Sequence, residues 1–150
     1  MNESPVTTTE FIVPVARRKL WNLLNDLKAV GNCVTGCESV EILSPQNSKW
    51  RLKVSAGIIS KRIDANAEII ERVEPERMVV KIESSDRDIT GTWKLELIEQ
   101  AADNTKVVFT ADMNARGSFE WLVNQIIKNQ FSKMANQFAA CITEKAKAES

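Results

Sequence analysis

The chain has 150 residues, of which 43% are hydrophobic and 27% are charged, enough for a domain with its own core. Twenty basic and twenty acidic residues cancel, which argues against nucleic-acid binding and against strong attraction to anionic membranes. Histidine and glycine-rich phosphate loops are absent, which excludes histidine-dependent triads, the usual zinc sites and P-loops. We expect a single domain over residues 1–150.

The cysteines and the N-terminal residues bear on the cellular compartment. Residues 1–5 (MNESP) are polar and lack the apolar core of a secretion signal. No stretch approaches the roughly 18 continuous apolar residues of a transmembrane helix. The chain has an odd number of cysteines, Cys33, Cys37 and Cys141. They could form a Cys33–Cys37 disulfide or a metal site of all three thiolates. We interpret them as small apolar residues, and expect a cytoplasmic protein with three free thiols, no metal and no transmembrane segment.

Hydrophobic periodicity predicts one strand, two short helices and then a run of strands. Residues 7–13 are rich in β-branched side chains and end at Pro14, which suits a helix entry. Apolar residues follow at helical spacing over residues 16–26, and Asn25-Asp26 separates a second helix at residues 27–32. Further along the chain the period is two, which predicts strands at residues 39–43, 49–55, 61–73, 78–82, 93–97 and 107–113.

These strands and a final helix define the predicted fold class. Each strand has one apolar and one charged face, typical of an antiparallel sheet covered on one side, and short turns favour a meander. Gly117 and Ser118 end the sheet, and Ser118 is predicted to cap a helix over residues 118–147, about 45 Å long. Its wide apolar stripe suits a helix held by a concave sheet. The prediction is an α+β fold, with a curved antiparallel sheet of about seven strands around a long C-terminal helix.

This order of elements resembles the helix-grip plan of START-like and Bet v 1-like pollen-allergen proteins. Residues 11–14 (FIVP), 20–26 (LWNLLND) and 33–41 (CVTGCESVE) resemble F-x-V-P, V-W-x-x-L-N-D and C-I-P-G-C-E-S-L-E of the carbon monoxide dehydrogenase CoxG family, within the START-like (SRPBCC) superfamily. Residues 133–138 (KMANQF) are similar to its K-L-A-D-Q-F. Thr35 stands where the family commonly has proline, and larger residues replace small ones at Val123, Asn129 and Phe131.

The resemblance implies an accessory protein that binds a lipid-like molecule such as a quinone. In the family this accompanies the maturation or membrane coupling of molybdenum hydroxylases. The implied partners are therefore a hydrophobic small molecule, a molybdenum hydroxylase complex of the carbon monoxide dehydrogenase type, and a membrane in transient contact. Apart from the bound ligand, no cofactor is expected.

The concave side of the sheet is the candidate site, because inward strand residues and the apolar stripe of the last helix meet there. The predicted ligand-binding residues are Trp50, Leu52, Val54, Ile63, Met78, Val80, Trp93, Phe109, Met113, Val123, Ile127, Gln130 and Met134. Ordinary core packing is the alternative for the apolar ones. Gln130 is a polar residue within the stripe, where its amide can bind a ligand carbonyl, or else bond to backbone or water at the stripe's edge. No catalytic residue and no metal ligand is predicted.

The predicted function is non-enzymatic binding of a hydrophobic small molecule by a carrier or accessory protein. A polyketide cyclase/dehydratase-like enzyme is the alternative, and it requires an ionisable group at an inward position. The alternation places apolar residues inward and Asp64, Glu68 and Asp112 outward, although a one-residue change of register would reverse this. A protein-interaction module without a ligand is the third hypothesis, which fold alone does not separate from the others.

Overall fold

The structure, a computed structural model, describes residues 6–117 and 119–148. In chain order the elements are β1 (Val6–Val13), α1 (Arg17–Asn25), α2 (Leu27–Cys33), β2 (Cys37–Ile42), β3 (Asn47–Ala56), β4 (Ile59–Val73), β5 (Arg77–Ser84), β6 (Ile89–Ala101), β7 (Asn104–Ala115), α3 (Phe119–Asn129) and α4 (Phe131–Ala148). The predicted α+β helix-grip class is confirmed.

The seven strands form one antiparallel sheet in the order β1-β7-β6-β5-β4-β3-β2. From β2 to β7 each strand pairs with the next in sequence, which is the predicted meander. β1 is the edge strand next to β7 and pairs with it antiparallel. The register shifts between Ile69 and Glu71 and between Glu99 and Ala101. An extra residue on one strand bends it and increases its twist, so these shifts help to curve the sheet into a concave surface.

The predicted break between the first two helices is confirmed at Asp26. This residue ends α1 and forms the N-cap of α2, where its side chain accepts a hydrogen bond from the Ala29 amide at 3.3 Å. The bond satisfies one of the amides that a helix N-terminus leaves without a partner. Leu20, Trp21 and Leu24 of α1 are buried, and they join the main core together with residues from the sheet and from α4.

The prediction of one continuous helix over residues 118–147 is wrong, because α3 and α4 are separated at Gln130. The Gln130 amide still bonds to the Ile126 carbonyl, and the Gln130 carbonyl accepts from Met134, both at 2.9 Å. The two helices pack on different surfaces: α3 against β3 and β7, and α4 against β1, α1 and α2. The apolar stripe is continuous across Gln130, so the pattern of apolar residues did not indicate the break. Ser118, the predicted cap, lies outside the described residues.

The expectation of three free thiols is also wrong. Cys33 of α2 and Cys141 of α4 form a disulfide, with a Cα–Cα distance of 5.4 Å and a sequence separation of 108. Cys37 is the free cysteine, so a Cys33–Cys37 disulfide and a site of three thiolates are both ruled out. A contact between residues so far apart in sequence depends on how α4 docks, which short-range spacing does not reveal. No helix in the described ranges combines the length and apolarity needed to cross a bilayer.

Candidate functional site

The concave face of the sheet has the predicted register. Along β3, Leu52 and Val54 are half-buried while Arg51 and Lys53 are exposed, and along β4, Ile63 is buried while Asp64 is exposed. Directly paired residues of neighbouring strands point to the same side of a sheet. The central inward positions therefore form one apolar surface, made of Trp50, Leu52, Val54, Ile63, Ala65, Ala67, Ile69, Met78, Val80, Ile82, Trp93, Leu95, Leu97, Val107, Phe109, Ala111 and Met113.

Helix α3 crosses over this surface. It packs against β3 and β7, and three strands, β4, β5 and β6, lie between these two in the sheet. Its apolar residues Val123 and Ile127 join Trp93 and Phe109 of the sheet in one cluster. All four of these side chains are half-buried, so none of them is packed as tightly as the core beneath α1.

An aromatic group connects the sheet to the start of α4. The Trp93 and Phe109 rings meet edge to face with centroids 5.4 Å apart, and the Phe109 and Phe131 rings lie 5.3 Å apart at a tilt of 33°. Such separations are typical of favourable aromatic pairs. The Trp93 indole N–H donates to the Met113 sulfur at 3.2 Å, so the polar edge of this ring already has a partner inside the protein.

Gln130 lies immediately before Phe131, at the break between α3 and α4. Its side chain is half-buried. Within the described part of the chain, the side-chain amide makes no hydrogen bond to protein. An amide in this setting has donors and an acceptor available for water or for a ligand.

The structure divides the predicted site residues among three environments. Met78 is 3% exposed and, with Val80, belongs to the core around α1. A second cluster, between the sheet and α3, contains Val54, Ile63, Trp93, Phe109, Met113, Val123 and Ile127. Trp50, Leu52, Gln130 and Met134 are half-buried and lie outside both clusters. Trp50 donates its indole N–H to Ser48 at 2.8 Å.

Comparisons with known proteins agree with this architecture. The profile of the carbon monoxide dehydrogenase CoxG family matches residues 10–147. The chain belongs to the CoxG family. No curated protein sequence matches it at a significant level.

Solved structures similar to this CoxG-family chain share its fold at low sequence identity. A conserved protein from Geobacillus kaustophilus aligns with a TM-score of 0.84 and 14% identity over 96% of each chain. A START superfamily protein from Mycobacterium smegmatis aligns with a TM-score of 0.77 and 7% identity over 97% of this chain and 99% of its own. The Zhui aromatase/cyclase from Streptomyces sp. R1128 aligns with a TM-score of 0.70 and 12% identity over 95% of this chain and 93% of its own.

Two residues that bear on the chemistry of the site, Phe131 of α4 and Lys61 of β4, were not among the predicted site residues. The Phe131 ring lies against the Phe109 ring, and in the sequence Phe131 was noted as larger than the residues that tend to stand at its position in the CoxG family. Lys61 pairs directly with Val54, so it points to the concave side, near the end of the sheet where β3 turns into β4. The alternation that placed Ile63 inward also places Lys61, two residues earlier, on the inward side, so the sequence could have predicted this position.

Residues 33–41, which resemble the CoxG motif, contain a glycine, Gly36, whose presence is explained by packing within this chain. Gly36 has a φ of +83°, and a Cβ there would lie 2.2 Å from the Lys53 carbonyl oxygen. Its own carbonyl accepts a hydrogen bond from the Lys53 amide at 2.7 Å. Thr35, the family's proline position, donates its hydroxyl to Gln137 of α4 at 3.1 Å. These contacts join the segment after α2 to β3 and to α4. Cys37 lies in the same segment, and burial raises the pKa of its thiol.

Two surface clefts lie away from the contact between α3 and the sheet. One, of about 250 Å³, is between α2 and β2, lined by Lys28, Gly31, Asn32, Cys37, Glu38, Ser39 and Val40. The other, of about 170 Å³, opens where β4 separates from β5, and includes Ile63 and Asp64. Charged and polar side chains line much of both clefts, among them Lys28 and Glu38 in the first and Arg62 and Asp86 in the second, which does not suit a hydrophobic ligand.

Proposed function

We propose that this CoxG-family protein binds a hydrophobic small molecule between the concave face of the sheet and α3, as a carrier or accessory protein and not as an enzyme. The observation that carries the proposal is the half-burial of apolar side chains on the sheet and on α3, among them Leu52, Trp93, Phe109, Val123 and Ile127. Apolar residues that face inward and still contact solvent gain free energy when a ligand covers them.

The chemistry of the face supports an elongated apolar ligand with a polar end, such as a quinone or an isoprenoid-like lipid. The central inward positions carry no charged side chain, so a charged ligand group would lose its hydration there without compensation. In this proposal the half-buried Gln130 amide, at the break between α3 and α4, donates a hydrogen bond to a ligand carbonyl. A lipid-like ligand is also what membership of the CoxG family implies.

The partner and the compartment belong to the same proposal. Family membership supports an accessory role beside a molybdenum hydroxylase of the carbon monoxide dehydrogenase type, in the cytoplasm. Disulfides are rare in that compartment, so the Cys33–Cys141 bond bears directly on the location. Alkylation of thiols in intact cells, followed by mass analysis, tests it: three alkylated cysteines support the cytoplasm, and one supports an oxidising compartment.

Native mass spectrometry of the gently purified protein tests the ligand proposal. We expect an adduct of small-molecule mass, and a hydrophobic quinone should raise the melting temperature in a concentration-dependent manner. Leu52→Trp, which adds bulk inside the concave face, should abolish the shift, whereas Lys53→Trp, on the outer face of the same strand, should retain it. Absence of any adduct or shift for the wild-type protein would refute the carrier function.

A cyclase-like enzyme is the second candidate, and Lys61 is the observation that favours it. This half-buried inward lysine is an ionisable group at the edge of the apolar face, and general acid–base catalysis requires such a group near the substrate. The likeness to the Zhui aromatase/cyclase, at 12% identity, supports the fold alone. Conversion of a poly-β-ketone thioester by the wild-type protein, lost in Lys61→Met, would establish the enzyme; no conversion would leave the carrier.

A further inference from the structure

The two edge strands of the sheet, β1 and β2, differ in how well they are protected against the addition of another strand. β2 is six residues long, and its register with β3 shifts between Cys37 and Ser39. The Lys28 ammonium group donates to the Val40 carbonyl of this strand at 2.9 Å. A short length, a bulge and a lysine at the edge are all features that hinder strand addition.

β1, at the other edge, has none of these features. All eight of its residues pair with β7 without a shift of register, and the strand contains neither lysine nor proline. Among the described residues, the backbone of residues 6–12 makes no hydrogen bond beyond those with β7. Every second residue of an edge strand directs its N–H and C=O away from its neighbour, so β1 presents a regular row of unpaired donors and acceptors.

The convex side of β1 is apolar at both ends. Val6 is 60% exposed and Ile12 is 49% exposed. Alternation places both on one face of the strand with Thr8 and Glu10, which are also exposed. The Glu10 carboxylate bonds to the Lys106 ammonium group at 3.1 Å, so the single charge of the strand is already compensated.

These residues are complementary to a second copy of the same strand. A two-fold axis perpendicular to the sheet keeps both concave faces on one side, so it pairs residues of the same face and relates one residue to its own copy. When that residue is Thr9, Val6 lies opposite Ile12 of the second copy at both ends of the pair. Thr8 then lies opposite Glu10 of the second copy.

The neighbouring registers are less favourable. Centred on Glu10, the pairing sets two carboxylates directly against each other, which is destabilising. Centred on Thr8, it sets Val6 against Glu10. The same register leaves Ile12 without an apolar partner. The pattern of the strand therefore selects the pairing about Thr9.

We propose that the protein forms a two-fold dimer through antiparallel pairing of β1 about Thr9, which joins the two seven-stranded sheets into one. The exposed Val6 and Ile12 become cross-strand pairs of β-branched residues, which are favourable in sheets. An interface built on one strand is smaller than the about 800 Å² per partner of a standard stable complex, so the dimer is reversible. The dimer does not depend on the ligand proposed above.

Sedimentation equilibrium of the full chain tests the dimer. The wild-type protein should show a monomer–dimer equilibrium at micromolar to millimolar concentrations. Val6→Lys should raise the dissociation constant about tenfold, because an apolar pair is lost twice in each dimer. Ile42→Lys is the matched control, since Ile42 is also 49% exposed but lies on β2, at the other edge, and it should leave the constant unchanged.

Two double variants test the pairing about Thr9. Val6→Lys with Ile12→Glu places opposite charges across both ends of the pair and should dimerise more tightly than Val6→Lys alone. Val6→Lys with Ile12→Lys places like charges there and should remain monomeric. Both make the same two exposed positions charged, and circular dichroism verifies that each variant folds, so a difference in dimerisation reports contact between the two strands.

Three results would overturn the proposal. A wild-type protein that stays monomeric at millimolar concentration would exclude the dimer. Dissociation by Ile42→Lys, with no effect of Val6→Lys, would assign the contact to β2. Equal dimerisation of the two double variants would exclude the pairing about Thr9.

Discussion

The Trp93 indole N–H donates to the Met113 sulfur at 3.2 Å, which connects β6 to β7 across the concave face. This contact gives the indole N–H a partner within the protein and leaves the ring as the accessible part of Trp93. The ring is half-buried and edge to face with Phe109. Trp93 therefore contributes both to packing and to the accessible apolar surface, and its two contributions are separable by experiment.

Trp93→Ala should lower the free energy of unfolding by about 2 kcal/mol, less than the about 3–5 kcal/mol of a fully packed large aromatic side chain. The reason is that part of the ring surface is already exposed to solvent in the native state. The same variant should bind a hydrophobic quinone more weakly. Urea denaturation and thermal shift measure the two effects.

Trp21→Ala is the matched control, because Trp21 is 4% exposed in the core around α1. It should cost about 3–5 kcal/mol and leave ligand affinity unchanged where the protein still folds. Equal losses of stability for the two variants, with no change in ligand binding, would mean that side chains fill the concave face.

Gln130→Leu should weaken a quinone more than a hydrocarbon of the same shape, because the quinone alone loses a hydrogen bond. A bond of about 1 kcal/mol corresponds to about a fivefold change in Kd. Titration calorimetry of both ligands gives the ratio. Gln137→Leu is the control, since Gln137 is exposed and bonded to Thr35. Identical losses for quinone and hydrocarbon would remove Gln130 from the site.

The sheet and the register were predictable because a period of two is a local property of the sequence. Burial of Ile63 beside exposed Asp64 follows from alternation alone, once one face of the sheet is covered. The helix break at Gln130 was not predictable in this way, because α3 and α4 are each amphipathic and their stripes join. The break reflects two packing surfaces, which are properties of the folded chain.

The sequence predicted which residues of the candidate site point inward, but not which of them the helices cover. Met78 and Trp93 carry the same inward signal, yet Met78 is 3% exposed in the core whereas Trp93 is half-buried beneath α3. The difference depends on where the helices lie over the sheet. The Cys33–Cys141 disulfide depends on the docking of α4 in the same way, and an odd number of cysteines pointed away from it.

Loss of the Cys33–Cys141 disulfide should lower the free energy of unfolding by about 3–5 kcal/mol. The bond closes a loop of 108 residues, and the entropy that a cross-link removes from the unfolded chain increases with loop length. Thermal denaturation of the double variant Cys33→Ser and Cys141→Ser should match that of the wild-type protein in reducing agent. Cys37→Ser should keep the response to reducing agent, and a wild-type protein indifferent to reduction would argue that the bond does not form.

Gly36→Ala should be more destabilising than Gly57→Ala, although both glycines have positive φ. The left-handed backbone costs a residue with a Cβ about 1–2 kcal/mol, which is the whole expected cost at Gly57, where a Cβ meets open space. At Gly36 the added Cβ would lie 2.2 Å from the Lys53 carbonyl oxygen, and relief of that contact requires β3 to move away from the turn that follows α2. The Gly36 carbonyl, which accepts the Lys53 amide at 2.7 Å, would lose its bond in the same movement. We therefore expect a loss of about 3 kcal/mol or more for Gly36→Ala, measured by urea denaturation. Similar losses for the two variants would mean that the turn relaxes without disturbing β3.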